Sequence, residues 1–208
     1  MVLAAGLALA VKPSSGACAS PGRLAFDVRR NGRSIGTHTI TFDRAGGRLA
    51  VLIEAQFRVG LGPITLFHYS HHGEEIWRDG QFHSLATETD DNGTPHQLRA
   101  ERAAAGVRIQ IAGRPDFVAP ADALPLTHWA QAAMHTRLFN PETGRVLAET
   151  ARPSGAGSVT LANGRAIPAT GYKLAGEAPI TDWYDASGNW AALDAIGRDG
   201  SAIAYRRI

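Results

Sequence analysis

Residues 24–42 read LAFDVRR-NG-RSIGTHTITF, and this stretch decides the fold class. Residues 24–30 and 33–42 alternate apolar and polar side chains, the period of a half-buried strand. Asn31-Gly32 between them fits the two central positions of a tight hairpin turn, where φ is positive. A strand, a two-residue turn and a second strand imply antiparallel pairing, because so short a link cannot carry a parallel crossover.

The same grammar continues outward. Gly46-Gly47 turns the chain into an alternating run at 48–59, and Asp79-Gly80 joins 64–78 to 81–89. Residues 90–93 (DDNG) precede further short runs at 97–102 and 107–111, and six more candidate strands lie between 145 and 207. The 23 glycines and 11 prolines suit many short strands and turns. Long helical crossovers are missing, which argues against a doubly wound α/β fold. The expectation is an all-β, mostly antiparallel domain, built as one extended curved sheet or a barrel-like or half-barrel sheet. One short helix is expected near 127–138, with Thr127 as its cap. Residues 20–208 form a single domain in this reading, with a weak subdivision near 113–125, where three prolines fall between 115 and 125.

The first residues have another character. Residues 2–11 (VLAAGLALAV) are an unbroken apolar run, followed by a small-residue stretch ending at Ala19. Residues 1–19 therefore look like a secretory signal, cleaved ahead of Ser20. The run falls short of the roughly 20 apolar residues of a transmembrane helix, so no transmembrane span is expected. A periplasmic location follows. Anchoring as a lipoprotein through Cys18 is the lesser alternative, since the large apolar residue usual three positions earlier is missing. Cys18 is the only cysteine, which excludes an internal disulfide framework. The formal net charge is +2 with only two lysines, and no basic run has the density of a nucleic-acid footprint.

Chemistry concentrates in residues 64–78 (ITLFHYSHHGEEIWR). Strand periodicity puts Phe67, Tyr69, His71, Gly73, Glu75 and Trp77 on one face, an aromatic surface with polar groups inside it. Such a face suits the wall of an enclosed, mostly apolar pocket. His71 and Glu75 are about 13 Å apart along a straight strand, unless a bulge at Gly73 shortens the gap. A charged Glu75 on that face needs a partner, a proton or water, and Arg58 or Arg99 is the expected source of a countercharge. His68 and His72 share the other face, too far apart for one metal ion without His38 or His83, and no metal or cofactor motif occurs. No nucleophile motif is present either. The block 182–185 (DWYD) with Trp190 is a second aromatic concentration, read as core packing or as a ligand-stacking wall.

Several strings resemble a family of exported proteobacterial proteins carried as a domain of unknown function, DUF6134, similar in style to DUF3108. They are residues 31–38 (NGRSIGTH), 69–80 (YSHHGEEIWRDG), 182–190 (DWYDASGNW) and the closing Tyr205-Arg206. The resemblance implies an extended antiparallel sheet behind a signal peptide. It singles out His71, Glu75, Trp77, Trp183, Tyr184 and Asp185, and it carries no established activity.

Taken together, these residues support an exported envelope protein that binds an apolar or amphipathic small molecule or lipid in a sheet-lined cavity. Phe67, Tyr69, His71, Glu75, Trp77, Trp183 and Tyr184 are its candidate ligand-binding residues. One alternative is a structural or protein-interaction module with an envelope protein partner. Another is a cofactor-independent isomerase or hydrolase using acid–base chemistry, with His71, Glu75 and Asp185 as catalytic candidates.

Overall fold

The computed structural model describes residues 22–61, 64–148, 150–175, 179–197 and 199–208. The signal-like segment and Cys18 lie outside them. The chain runs through β1 (Arg23–Arg30), β2 (Arg33–Ala45), β3 (Arg48–Leu61), β4 (Ile64–Arg78), β5 (Gln81–Asp91), β6 (Thr94–Ala103), β7 (Gly106–Ile111) and β8 (Phe117–Ala119). After β9 (Leu124–Pro125), a 3₁₀ turn at Gln131–His135 and β10 (Leu138–Phe139) come β11 (Arg152–Thr160), β12 (Ala166–Leu174), β13 (Ile180–Tyr184), β14 (Trp190–Ile196) and β15 (Ala202–Arg207).

Thirteen of these strands form one sheet, in the order β11-β12-β13-β14-β15-β1-β2-β3-β4-β5-β6-β7-β8. Every neighbour is antiparallel, and all but one pair are consecutive in sequence. The exception joins the two ends of the chain: β1 pairs with β15 in mid-sheet, with Val28 opposite Tyr205. The Asn31-Gly32, Asp79-Gly80 and Asn92-Gly93 turns all have positive φ at both residues, as tight hairpins require.

The sheet corrects the barrel-like and curved expectation. It is open and not strongly curled: β8 and β11 each have one neighbour and do not pair with each other. Local hairpin signals specify which strands are adjacent, whereas closure depends on shear and tilt, which no short motif encodes. Residues 120–148, between the two edge strands, instead form a strap over one face. Ala133, Met134 and Leu138 of the strap pack with Phe26, Ile40, Ile53, Tyr184 and Trp190. Ala123 and Phe139 pack with Phe82, Leu85, Leu98 and Ile109 from the other half.

The helix expected near 127–138 is also corrected. Only Gln131–His135 turns, as a 3₁₀ helix whose entry at Ala130 is extended and lacks a side-chain cap. Thr127, the expected cap, hydrogen-bonds Glu75 instead. The flanking residues 124–125 and 138–139 are tied to each other as a parallel pair, so tertiary bonds override the helical propensity of the alanines.

Inward residues form lateral rows across the sheet. One row is Phe26, His38, Ala55, His71 and Thr89, on β1 to β5. The next is Tyr205, Val28, Gly36, Phe57 and Tyr69, on β15 and β1 to β4. Gly36 sits where β2 slips register against β1. Its φ is +154°, and a Cβ there would lie 1.9 Å from the backbone oxygen of Gln56. Gly36→Ala should therefore cost more than about 2 kcal/mol in urea unfolding. Gly32→Ala, whose Cβ would meet nothing within 4 Å, should cost only about 1 kcal/mol, for its positive φ alone.

Candidate functional site

The strap is fastened to the sheet at buried polar groups. Glu75 is fully buried at 0% exposure. Its Oε2 accepts the indole N–H of Trp77 at 2.6 Å and that of Trp129 on the strap at 3.2 Å. Neither Arg58 nor Arg99 supplies the countercharge, since both lie on the exposed face. Burial pushes the carboxyl up to about 7 against the pull of the Thr127, Trp77 and Trp129 hydrogen bonds. A neutral or half-charged acid is thus the solution to burial without a cation. The expected bulge at Gly73 is not used: the register runs evenly from Ile53 through Gly73 to Thr87. The glycine gives the His71 ring room, as a Cβ there would lie 3.3 Å from His71 Nε2.

The second fastening is Asp182, 1% exposed on β13. Its carboxylate faces Nδ1 of His128 at 2.9 and 3.1 Å and accepts the indole N–H of Trp190 at 2.9 Å. The His128 ring stacks on Trp190 with centroids 5.0 Å apart. The His128 carbonyl accepts the Tyr184 hydroxyl at 2.7 Å. A third fastening is Thr87, whose hydroxyl donates to the Pro141 carbonyl at 2.7 Å.

Between these fastenings strap and sheet part around a cavity of about 210 Å³. Its sheet wall includes His38, Ala55, Phe57, Tyr69, His71 and Tyr205, and its strap wall includes Thr127, His128, Asn140 and Glu142. The row explains the space: Ala55 stands between His38 and His71, so two imidazoles roughly 10 Å apart flank a methyl group. His71 Nδ1 is 2.7 Å from the Thr89 hydroxyl. His38 Nε2 has no partner; it is the one buried side-chain nitrogen or oxygen so left among the described residues. Burial keeps both rings neutral, pushing His38 down to about 3 and His71 to about 4. Tyr69 and Tyr205 are held above the ordinary phenol range, chiefly by burial.

Phe57, Tyr69 and Tyr205 also line a neighbouring trough of about 690 Å³. The remainder of its lining is largely apolar, including Val28, Ile35, Val59, Phe67 and Ile203, with the paired Arg30 and Asp199 at its rim. Cavity and trough therefore share a boundary of three aromatic rings.

The face assigned to β4 holds: Tyr69, His71, Gly73 and Glu75 point inward, while Ser70, His72 and Glu74 are exposed. Tyr69 and His71 meet in the cavity, and Phe67 lies in the trough. Glu75 and Trp77 belong to the strap fastening, with Trp77 bordering a separate cleft of about 930 Å³ beside Trp129. Tyr184 is fully buried behind His128. Trp183 and Asp185 do not join the cavity. The Trp183 ring lies over Gly157 and Gly171 on the other side of β13, its indole donating to Asp194. Asp185 holds the following turn through the N–H groups of Ser187 and Asn189 and pairs with Arg207 at 2.9 Å. Among the described residues, no three His, Cys, Asp or Glu side chains are grouped to hold a metal ion. His68 and His72 instead lie beside Asp90 and Glu74. His128 carried no signal in the sequence beyond its proximity to Trp129. His38, expected only as a metal partner for His68 and His72 on the outer face, lies instead on the inner face, in the cavity wall.

The chain is similar in fold to the crystal structure of a beta-barrel-like protein of domain of unknown function DUF1849 from Brucella abortus, with a TM-score of 0.62 at 10% identity. The match covers 89% of this chain and 94% of that one. The chain itself belongs to the DUF6134 family, a domain of unknown function, whose model matches residues 26–208. No curated protein matches the sequence. Among the described residues, no helix is long and apolar enough to cross a membrane.

The buried acids and bases give opposing pH dependences. Glu75 is raised from 4.5 to about 7, so the folded state holds its proton longer than the unfolded chain. That contribution is complete below about pH 4.5 and is lost as pH rises through 7. His38 and His71 are depressed from 6.5, so their contribution is present above 6.5 and lost as pH falls toward 4 and 3. With two imidazoles against one carboxyl, the protein should lose stability between pH 6.5 and 4.5. Glu75→Gln keeps an acceptor for the indoles and removes the carboxyl's share. Relative to wild type, it should be more stable at pH 8 than at pH 4.5 by on the order of 3 kcal/mol, measured by urea unfolding at both values.

Proposed function

We propose that this is an exported envelope protein that holds a neutral amphipathic molecule, with its apolar chain in the trough and an uncharged polar head in the cavity. The observation that carries the reading is His38 Nε2, buried without a partner in the cavity wall. An unsatisfied buried polar atom costs about 1–3 kcal/mol, which a hydroxyl or carbonyl of a ligand would recover. The trough supports the apolar half, and its volume of about 690 Å³ falls in the roughly 300–1,000 Å³ range of small-molecule sites.

The head group is neutral by the chemistry of the walls. His38 and His71 are uncharged at pH 7, and Glu142 is the acidic member of the lining. An anionic head would find no fixed cation there and would lose its hydration. Export rests on residues 2–11 and the small-residue stretch that follows. Protein recovered from the envelope should have a mass beginning at Ser20, whereas a lipid mass on Cys18 would replace the soluble form with an anchored one.

Binding of 1-decanol and of decanoate at pH 7.5, below their aggregation limits, tests the reading by calorimetry. The alcohol should bind at least tenfold more tightly, and each methylene removed should weaken it about fourfold, as ~0.8 kcal/mol per buried CH₂ implies. Phe67→Asp, which places a charge in the trough, should abolish binding. Equal affinity for decanoate, or no binding of either, would overturn the proposal.

A further inference from the structure

Holding a neutral amphipath does not account for His128. Its φ is +67°, a conformation costly for a residue other than glycine. The Tyr184 hydroxyl, the Trp190 ring and the Asp182 carboxylate together hold it there. Backbone strain maintained by so many contacts clusters at functional sites. In the neutral ring the buried carboxylate selects the tautomer in which Nδ1–H donates to Asp182 and the lone pair is on Nε2. Nε2 has no hydrogen-bond partner among the described residues, yet it is not walled off, since His38 Nε2 is the sole buried orphan. The ring lines the cavity opposite His38 and His71, with Glu142 the acid in the same wall.

We propose that His128 is a general base that drives water onto the carbonyl of a neutral acyl ester, with Asp182 as its positioning residue. The inference rests on the binding reading above, because the trough seats the acyl chain and the cavity the ester head. Water supplies the nucleophile, which suits a lining that holds neither serine nor cysteine, and whose one threonine is engaged by Glu75. The water oxygen bonds to the carbonyl carbon while its proton passes to His128 Nε2. The C=O π pair moves onto oxygen, facing the Tyr205 phenol, which burial keeps protonated. Collapse breaks the bond to the alcohol oxygen, and His128 returns its proton to that leaving group. Ester and water become acid and alcohol, and Asp182 stabilises the transient imidazolium without taking its proton. The acid ionises on leaving, and a cavity without fixed cations favours its release.

Hydrolysis of 1-decanoylglycerol by the mature protein, followed in a pH-stat, tests this. Wild type should turn over, and the exposed-face control His72→Gln should match it. His128→Asn tolerates the positive φ and removes the base. It should lose at least 100-fold in kcat, the usual scale of base catalysis, while still binding 1-decanol. His128→Gln serves as a second variant, should the first not fold. Asp182→Asn should lower kcat with KM unchanged, a split that a merely loosened fold would not give. If wild type binds 1-decanol without hydrolysing the ester, or if both His128 variants keep full turnover, the catalytic inference falls and the binding reading stands. If wild type binds neither, both fall.

Discussion

The structure depends on how two buried carboxyl groups are satisfied without lysine or arginine. Glu75 and Asp182 lie on the inner face of the sheet, in its two halves; Asp182 is bonded by two aromatic N–H groups, and Glu75 by two indoles and the Thr127 hydroxyl. The strap supplies Thr127 and Trp129 to the first set and His128 to the second. Among its described residues the strap contains only a five-residue 3₁₀ turn and two two-residue strands, too little regular structure to set its own course. Removing a donor would leave a buried acid under-satisfied, which costs more than the bond itself gains. The strap is therefore held at defined points, and the space left between them is part of the fold rather than a packing fault.

Small residues then decide where that space opens. In the row Phe26, His38, Ala55, His71 and Thr89, the middle position is a methyl between two rings. One row over, Gly36 lets β2 approach the Gln56 backbone, and Gly73 makes room for the His71 ring. A leucine at position 55 would fill the gap with roughly 1.5–3 kcal/mol of apolar burial. The chain instead keeps a cavity, an orphaned imidazole nitrogen and a strained histidine, three separate costs at one place. Departures from local optimality that coincide in space mark a site more firmly than any one of them alone.

Strands and hairpins were legible because alternation and Asn-Gly or Asp-Gly turns are local signals. So was the inward face of β4, which follows from its period of two. Closure was not legible, since the pairing of β1 with β15 and the separation of β8 from β11 are relations between distant residues. The strap was misread as a helix because its alanines favour one, while the bonds that prevent it come from Glu75 and Asp182. For the same reason Asp185 and Trp183 were drawn into the site with Tyr184. Periodicity places them on the other face from Asp182, but the sequence does not say which face the strap covers.

His128 shows why the most chemically pointed residue left the faintest trace. A catalytic motif is readable when neighbouring residues in sequence form it, as a nucleophile elbow or a metal-binding helix does. Here the carboxylate comes from β13, the stacking ring from β14, the phenol holding the carbonyl from β13, and the histidine from an irregular strap between the sheet's two edges. Each is an ordinary residue in its own segment. Only the pairing of strands through β1 and β15, and the strap's passage over both halves, brings the three sheet residues to His128, which alone of the four lines the cavity. The proposed chemistry is a property of the topology, and its geometry becomes visible only once the open sheet and its cover are in place.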